Sequence, residues 1–394
     1  MNKKLMYLPL MENNINKDDI NNLISFLSQD EIPRLTNGPK VKEFEALWSK
    51  WLNNSSKSVF VNSGSSANQL TLLTIKQLYG TGEVILSPLN WISDVAAVVQ
   101  NDFTPVFVDI NLHNLSFDET SLLSKINSNT KAILLTHILG INGLTDNIIR
   151  ICKEKNILLI EDVCESHGAS HNGQLCGTFG DVSNFSFYFA HHMSTIEGGI
   201  ISTTNNDIYE HCRIFRSHGM LRECTDENIV RTYHDKYPTV NPEFFFVNPA
   251  YNMRSTEINA VLGINQLKRL NYNIIKRREN FDYFINNLDN ELYITDLKLE
   301  GNSNYAFIII MRSKSIPLRD KIESIFKGNN IEYRRGLSGG GNQLRQPYIQ
   351  DNFDVDLNEF DNVEHVHKYS WYVGNYPSLE REKIDQLLSL LNNI

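Results

Sequence analysis

Phe185-Ser186-Phe187-Tyr188-Phe189-Ala190-His191-His192-Met193-Ser194-Thr195-Ile196-Glu197-Gly198-Gly199 is the stretch that decides how this 394-residue chain is read. An alternating aromatic run ends in two adjacent histidines. A glycine pair follows, and then the apolar Ile200-Ile201. Aromatic and β-branched residues on either side of a Gly-containing turn read as strand, turn, strand. Imidazoles at that turn give it acid–base capacity near neutral pH. No lysine occurs between Lys155 and Lys236.

Outward from this turn, short apolar runs recur: Ser58 to Val61, Glu83 to Leu86, Pro105 to Ile110, Ala132 to Thr136, Ile157 to Ile160, Val182 to Phe187 and Gly199 to Thr203. Most are rich in Val, Ile and Phe without strict alternation, as strands covered on both faces are. Helical patterns such as Ala67 to Leu78 and Asp146 to Lys155 separate several of them. The alternation predicts an α/β fold, a mostly parallel seven-stranded sheet with helices on both faces. Asp18 to Leu27 and Val41 to Trp51 read as helices before it. Ser255 to Asn287 reads as one long helix bridging two domains, a large one (1–272) and a smaller α+β one (273–394). In the tail, Asn304 to Met311 reads as a strand, and Leu318 to Phe326 and Glu380 to Leu391 as helices.

A net charge of −9 and a pI near 5.7 argue against nucleic-acid binding. Met1 to Pro9 is too short in apolar residues for a leader, and no run reaches the ~20 apolar residues of a membrane helix. Five cysteines, none in a Cys-x-x-Cys pair, fit a reduced cytoplasmic protein, and no metal is expected.

Four further motifs carry chemistry. Ser63-Gly64-Ser65-Ser66 follows a strand and opens a helix, where free N–H groups and the helix dipole bind phosphate; such turns also serve merely as caps. Trp91, after the strand Glu83 to Leu86, either stacks on a flat heterocycle or packs in the core. Asp162 and Glu165 follow the strand Ile157 to Ile160 and serve either as helix caps or as site carboxylates. Arg334 and Arg335 precede the Gly-rich Gly336 to Asn342, a composition that suits a diphosphate or a flexible surface loop.

In order and spacing these segments resemble the sugar-nucleotide aminotransferases that use pyridoxal phosphate (PLP), from about Asn37 to the C-terminus. In that family the lysine that holds PLP lies six residues before the Glu of a Glu-Gly-Gly; here that place holds His191. The exchange resembles the sugar 3-dehydratase branch, which works with pyridoxamine phosphate (PMP) bound non-covalently. The resemblance implies PLP-dependent transferase fold type I. It assigns Gly64, Ser65 and Ser186 to the cofactor phosphate, Trp91 to stacking on the ring, Asp162 to the ring nitrogen and Glu165 to the ring hydroxyl. Asn252 matches an Asn that reaches the phosphate of a neighbouring subunit, which implies a homodimer with shared sites; a helix N-terminal turn also explains it. His218, Arg334 and Arg335 are candidates for the substrate.

The implied reaction is loss of the C3 hydroxyl from a 4-keto-6-deoxy sugar nucleotide, GDP-linked by preference, with His191 as base and L-glutamate restoring PMP. A sister branch adds a [2Fe–2S] cluster, which needs closely spaced cysteines. No two cysteines here are closer than a dozen positions, so no cluster is expected. His192 competes with His191 for the catalytic place. A CDP-hexose or GDP-heptose substrate stays open, as does a non-catalytic binding homologue.

Overall fold

A computed structural model of the chain describes residues 7–52 and 54–394; the opening Met1 to Met6, part of the stretch tested above for a leader, lies outside them. Among the described residues the strands are β1 (Lys57–Val61), β2 (Glu83–Leu86), β3 (Thr104–Phe107), β4 (Thr130–Thr136), β5 (Leu158–Asp162), a small hairpin of β6 (Ser170–His171) and β7 (Gln174–Leu175), β8 (Val182–Ser186), β9 (Gly199–Thr203), β10 (Ala306–Ile310), β11 (Tyr333–Arg335) and β12 (Ser370–Gly374). Seven of them form one sheet in the order β1-β9-β8-β5-β4-β2-β3. Pairing is parallel from β3 through β2, β4 and β5 to β8; β9 runs antiparallel to both β8 and β1. The turn carrying His191 joins β8 to β9 and so lies at the end of the sheet where β5 also ends.

The strands lack alternation because both faces are buried. Along β4, Ala132 and Leu134 face one core with Leu70, Ile75 and Ile160, while Ile133 and Leu135 face another with Phe44, Trp48, Phe60, Phe185 and Phe187. The helices over these faces are α1 (Lys17–Leu27), α2 (Pro39–Leu52), α3 (Gly64–Tyr79), α4 (Ile92–Gln100), α5 (Glu119–Lys125), α6 (Asp146–Lys155), α7 (Asn206–Arg216) and α8 (Glu227–Lys236). Short polar side chains start them: Asn16 with Asp19 makes a capping box on α1, Ser63 caps α3 and Thr145 caps α6.

The long helix expected over Ser255 to Asn287 is two helices, α9 (Glu257–Leu267) and α10 (Leu270–Asn287). Arg269 breaks the ladder at φ −111°, ψ 2°. Its guanidinium is drawn to the buried Asp19 (2.9 Å from Nη1) and to the Asn14 carbonyl (2.8 Å from Nη2), and that pull comes from the far end of the sequence. Beyond α10, β10, β12 and β11 form a small antiparallel sheet accompanied by α11 (Ile316–Gly328), α12 (Pro347–Gln350), α13 (Asp361–Tyr369) and α14 (Arg381–Asn392). The segment before α1 ties this sheet to the histidine turn. Leu8 bridges to Ile331, and Asn14 Nδ2 donates to the carbonyl oxygens of His191 (3.3 Å) and Phe189 (3.4 Å). Among the described residues no helix is long and apolar enough to cross a membrane.

Arg216, at the end of α7, is structural. Its buried guanidinium donates to Glu45 Oε1 (2.6 Å) and the Phe60 carbonyl (2.9 Å), and Glu45 also accepts the Phe60 N–H (2.8 Å). Removing one partner of a buried pair strands the other charge, at a cost of about 3–5 kcal/mol. Arg216→Met is expected to lose about that much stability in urea titration; a loss below about 1 kcal/mol would show that Glu45 finds another partner.

Candidate active site

Ser63 accepts the Ser66 N–H (3.0 Å) and so caps α3. Among the described residues the N–H groups of Gly64 and Ser65 have no partner in the chain, and Ser65 is exposed. An anion-binding helix start results. Its floor is tight. A Cβ on Gly64 would stand 2.6 Å from Ser186 Cβ and 3.0 Å from Cys164 Sγ, and one on Gly199 would stand 2.3 Å from the Ser63 carbonyl oxygen. Ser186, the last residue of β8, is thereby held under the helix start.

Ser186 also fixes His191. Its carbonyl oxygen lies 3.1 Å from His191 Nδ1. A carbonyl only accepts, so Nδ1 carries the hydrogen and Nε2 keeps its lone pair. The half-buried ring has Tyr188, Tyr305 and His167 around it, with centroids at 5.9, 5.7 and 6.2 Å. Burial lowers its pKa to about 4; the buried Arg277 pushes the same way, while the Ser186 carbonyl and Asp162 oppose it. The imidazole is therefore a neutral base at pH 7, more firmly than the free value of ~6.5 suggests. His192 differs. It is fully buried, its Nε2 donates to the Ser303 carbonyl (3.0 Å), and burial holds it neutral. It anchors the turn to the segment before β10.

At the end of β5, Asp162 accepts the Cys164 N–H (2.9 Å) on one oxygen and Asn68 Nδ2 (2.7 Å) on the other. Glu165 accepts from the Leu139 N–H (3.1 Å) and from Ser338 Oγ (3.0 Å), and burial raises its pKa to about 7. Trp91 is 57% exposed, which overturns the core reading: the indole lies on the surface, at the N-cap of α4. Gly64, Ser65, Ser186, His191, Asp162, Glu165 and Trp91 all belong to strand ends, loops and helix starts at one end of the sheet.

Asn252 is exposed on a segment whose next residues pair with Val61 and Asn62; its Oδ1 accepts the Arg254 N–H (3.2 Å). His218, at φ +65°, gives its N–H to the Tyr251 carbonyl beside it (3.0 Å). On β11, side chains alternate. Arg335 is committed to Glu323 (2.6 Å), whereas Arg334 stands opposite Tyr372 with its Nη1 bonded to its neighbour's carbonyl (3.1 Å). The Gly-rich loop is packed rather than loose: Gly339 lies against the Asn90 carbonyl, which also accepts Gln343 Nε2 (3.1 Å). His137, Glu161 and Cys176 bring ligand atoms together within 4.8 Å, but Glu161 already accepts three backbone N–H groups and faces His137 Nε2 at 3.2 Å. This buried cluster is a closed hydrogen-bond knot.

The site fits a flat anionic heterocycle. Gly64, Ser65 and Ser186 offer an anion cradle, the exposed Trp91 a stacking face, and the buried Asp162 an acceptor for a ring N–H. Sequence reasoning missed Asn68, Asp94, Tyr305 and Tyr372. Tyr305 and Tyr372 come from around the small sheet, so no local pattern announces them.

Comparison with known proteins bears on the fold and the family. The model of the DegT/DnrJ/EryC1/StrS aminotransferase family matches residues 13–392. GDP-4-keto-6-deoxy-D-mannose 3-dehydratase of Escherichia coli O55:H7 is 32% identical over 90% of this chain and 92% of its own length. The protein of that name from Yersinia pseudotuberculosis is 31% identical over 99% and 100%. The solved E. coli dehydratase with bound hydrated PLP superimposes with a TM-score of 0.87 at 29% identity, covering 98% of this chain and 100% of that one. Related dehydratase structures hold a trapped PLP-glutamate geminal diamine (TM-score 0.87, 30% identity) or GDP-perosamine (TM-score 0.85, 29% identity), with the same coverage. The architecture is PLP-dependent fold type I, and the chain belongs to the DegT/DnrJ/EryC1/StrS aminotransferase family.

Proposed function

We propose that this chain is a PMP-dependent 3-dehydratase of a GDP-linked 4-keto-6-deoxy sugar, with L-glutamate as amino donor. The observation that carries the reading is His191: no lysine stands in the turn, and an imidazole with Nδ1 tied to Ser186 leaves its Nε2 lone pair for a proton. The similar dehydratases, with PLP, a PLP-glutamate adduct and GDP-perosamine in their solved forms, support the substrate and donor.

When bound, PMP supplies an amine that condenses with the 4-keto group and a ring that draws electrons from the adjoining carbon. Gly64, Ser65 and Ser186 hold its phosphate, Trp91 covers its ring, and Asp162 accepts from its ring nitrogen. Glu165, steadied by Ser338, faces the ring hydroxyl. His191 takes the proton from the carbon bearing the amine and returns one to the departing C3 hydroxyl, which leaves as water. Glutamate supplies the electrons: sugar and glutamate become the 3-deoxy sugar, 2-oxoglutarate and ammonia. Asn252 of the partner subunit completes the phosphate site in a homodimer. Arg334 and His218 face the sugar nucleotide; Arg335, already paired with Glu323, braces β11. On this reading residues 1–272 carry the cofactor and 273–394 form the smaller domain.

His191→Asn is expected to lower dehydratase kcat about 10²–10⁴-fold with PMP still bound, and His192→Asn to be much milder. The reverse pattern would assign the base to His192; no effect from either would sink the mechanism. The pH profile follows from the lowered pKa. Followed by the NMR shifts of its own ring protons, His191 should stay neutral as pH falls through 6.5 and take up its proton only near pH 4, whereas a midpoint at 6.5 would mean that its surroundings do not hold it neutral as described. Unfolded chain takes up that proton at higher pH than folded chain, so the same shift lowers stability as pH falls from about 6.5 to 4. Sharing of sites is tested by mixing. Heterodimers of Asn252→Ala and His191→Asn subunits should regain one intact site each; activity no higher than that of Asn252→Ala alone would place Asn252 in its own subunit's site.

A further inference from the structure

Behind the cofactor face lies a second carboxylate. Asp94 is on the first turn of α4, three residues after Trp91, and is fully buried. Its Oδ1 accepts Asn68 Nδ2 at 2.6 Å, and the same amide nitrogen lies 2.7 Å from Asp162 Oδ2. Asn68 is itself fixed: its Oδ1 accepts from Asn184 Nδ2 (2.8 Å), and Asn184 Oδ1 accepts from Thr71 Oγ1 (2.8 Å). Thr136 Oγ1 lies 2.7 Å from the other Asp94 oxygen. Two carboxylates thus share the two hydrogens of one buried amide.

Among the described residues neither Asp94 nor Asp162 has a Lys, Arg or His within ion-pair distance. The titratable groups facing Asp94 are Asp162, Cys164 and Glu165 from the β5 side and Tyr348 from α12. All become neutral or negative, so none offsets a charge on Asp94. Two close, buried carboxylates without a cation do not both ionise. Asp162 accepts a backbone N–H, from Cys164 at 2.9 Å, in cofactor-free protein as well. Asp94 has no such partner; burial first, and then the Asp162 carboxylate, push its acid well above the usual range.

We propose that Asp94 is a positioning residue of the cofactor site: a buried carboxylic acid that keeps its proton and, through the shared amide of Asn68, holds Asp162 as the single negative charge offered to the ring nitrogen. On this assignment the Asp94 hydrogen is given to Thr136 Oγ1, the reverse of the bond from Thr136 O–H that an ionised Asp94 accepts. The inference rests on the cofactor reading above for its functional part, while the protonation of Asp94 is independent of it.

The test separates the two. The infrared spectrum of cofactor-free wild type at pH 7 minus that of Asp94→Asn, in which the Glu165 acid common to both cancels, should show a carboxylic-acid carbonyl band. If the difference shows no such band, Asp94 is ionised and the proposal falls, whatever the protein binds. Titration with PLP, followed by its absorbance, then gauges the positioning role. Asparagine reproduces the neutral acid, so Asp94→Asn should retain most of the affinity. Asp94→Ala removes one partner of Asn68 and should weaken PLP about tenfold. An Asp94→Asn protein that binds PLP as poorly as Asp94→Ala would overturn the proposal. Wild-type protein that fails to bind PLP while retaining the acid band would instead overturn the cofactor reading alone.

Discussion

The absence of side-chain volume at Gly64 is the constraint on which the site depends. The start of α3 lies so close on Ser186 that a single added carbon would stand 2.6 Å from its Cβ. That contact sets the height of the anion cradle above the sheet. It also fixes the carbonyl that orients His191. Gly199 completes the arrangement from β9, pressed on the Ser63 carbonyl. Without a lysine in the turn, a cofactor here has no covalent tether, so the backbone geometry of three strands must do what a bond does elsewhere in the family.

The sheet was legible because its strands are buried on both faces. Continuous apolar runs such as Ala132 to Leu135 suit strands covered on both faces, and Gly199 to Thr203 matches its strand residue for residue. His191 was legible from a count back from Glu197. Other features were not, and the reasons differ. The break at Arg269 is made by Asp19, 250 residues earlier, so no local periodicity contains it. Trp91 by itself looks like a core residue in composition; only the family resemblance set it on a ring, and its exposure goes with its place at a helix start. Asp94 reads as an ordinary first-turn acid favoured by the helix dipole. Its proximity to Asp162 arises from tertiary packing of α3 and α4 at the sheet's end.

The two adjacent histidines show how one residue type serves opposite ends. Their side chains are anchored by carbonyls through different nitrogens, Nδ1 in His191 and Nε2 in His192. The first anchor leaves a lone pair beside Tyr188 and Tyr305; the second buries it. Tautomer and depth therefore favour His191 over His192 for the proposed base.

The bond from Ser338 Oγ to Glu165 has a thermodynamic consequence. Ser338 belongs to the loop that follows Arg334, and Glu165 to the loop that follows Asp162. A ligand held by the first loop would bear on the second, and by linkage any help is mutual. If sugar nucleotide and cofactor occupy these loops as proposed, each would help to retain the other, and dilution would strip cofactor sooner from the resting protein than from protein holding its substrate.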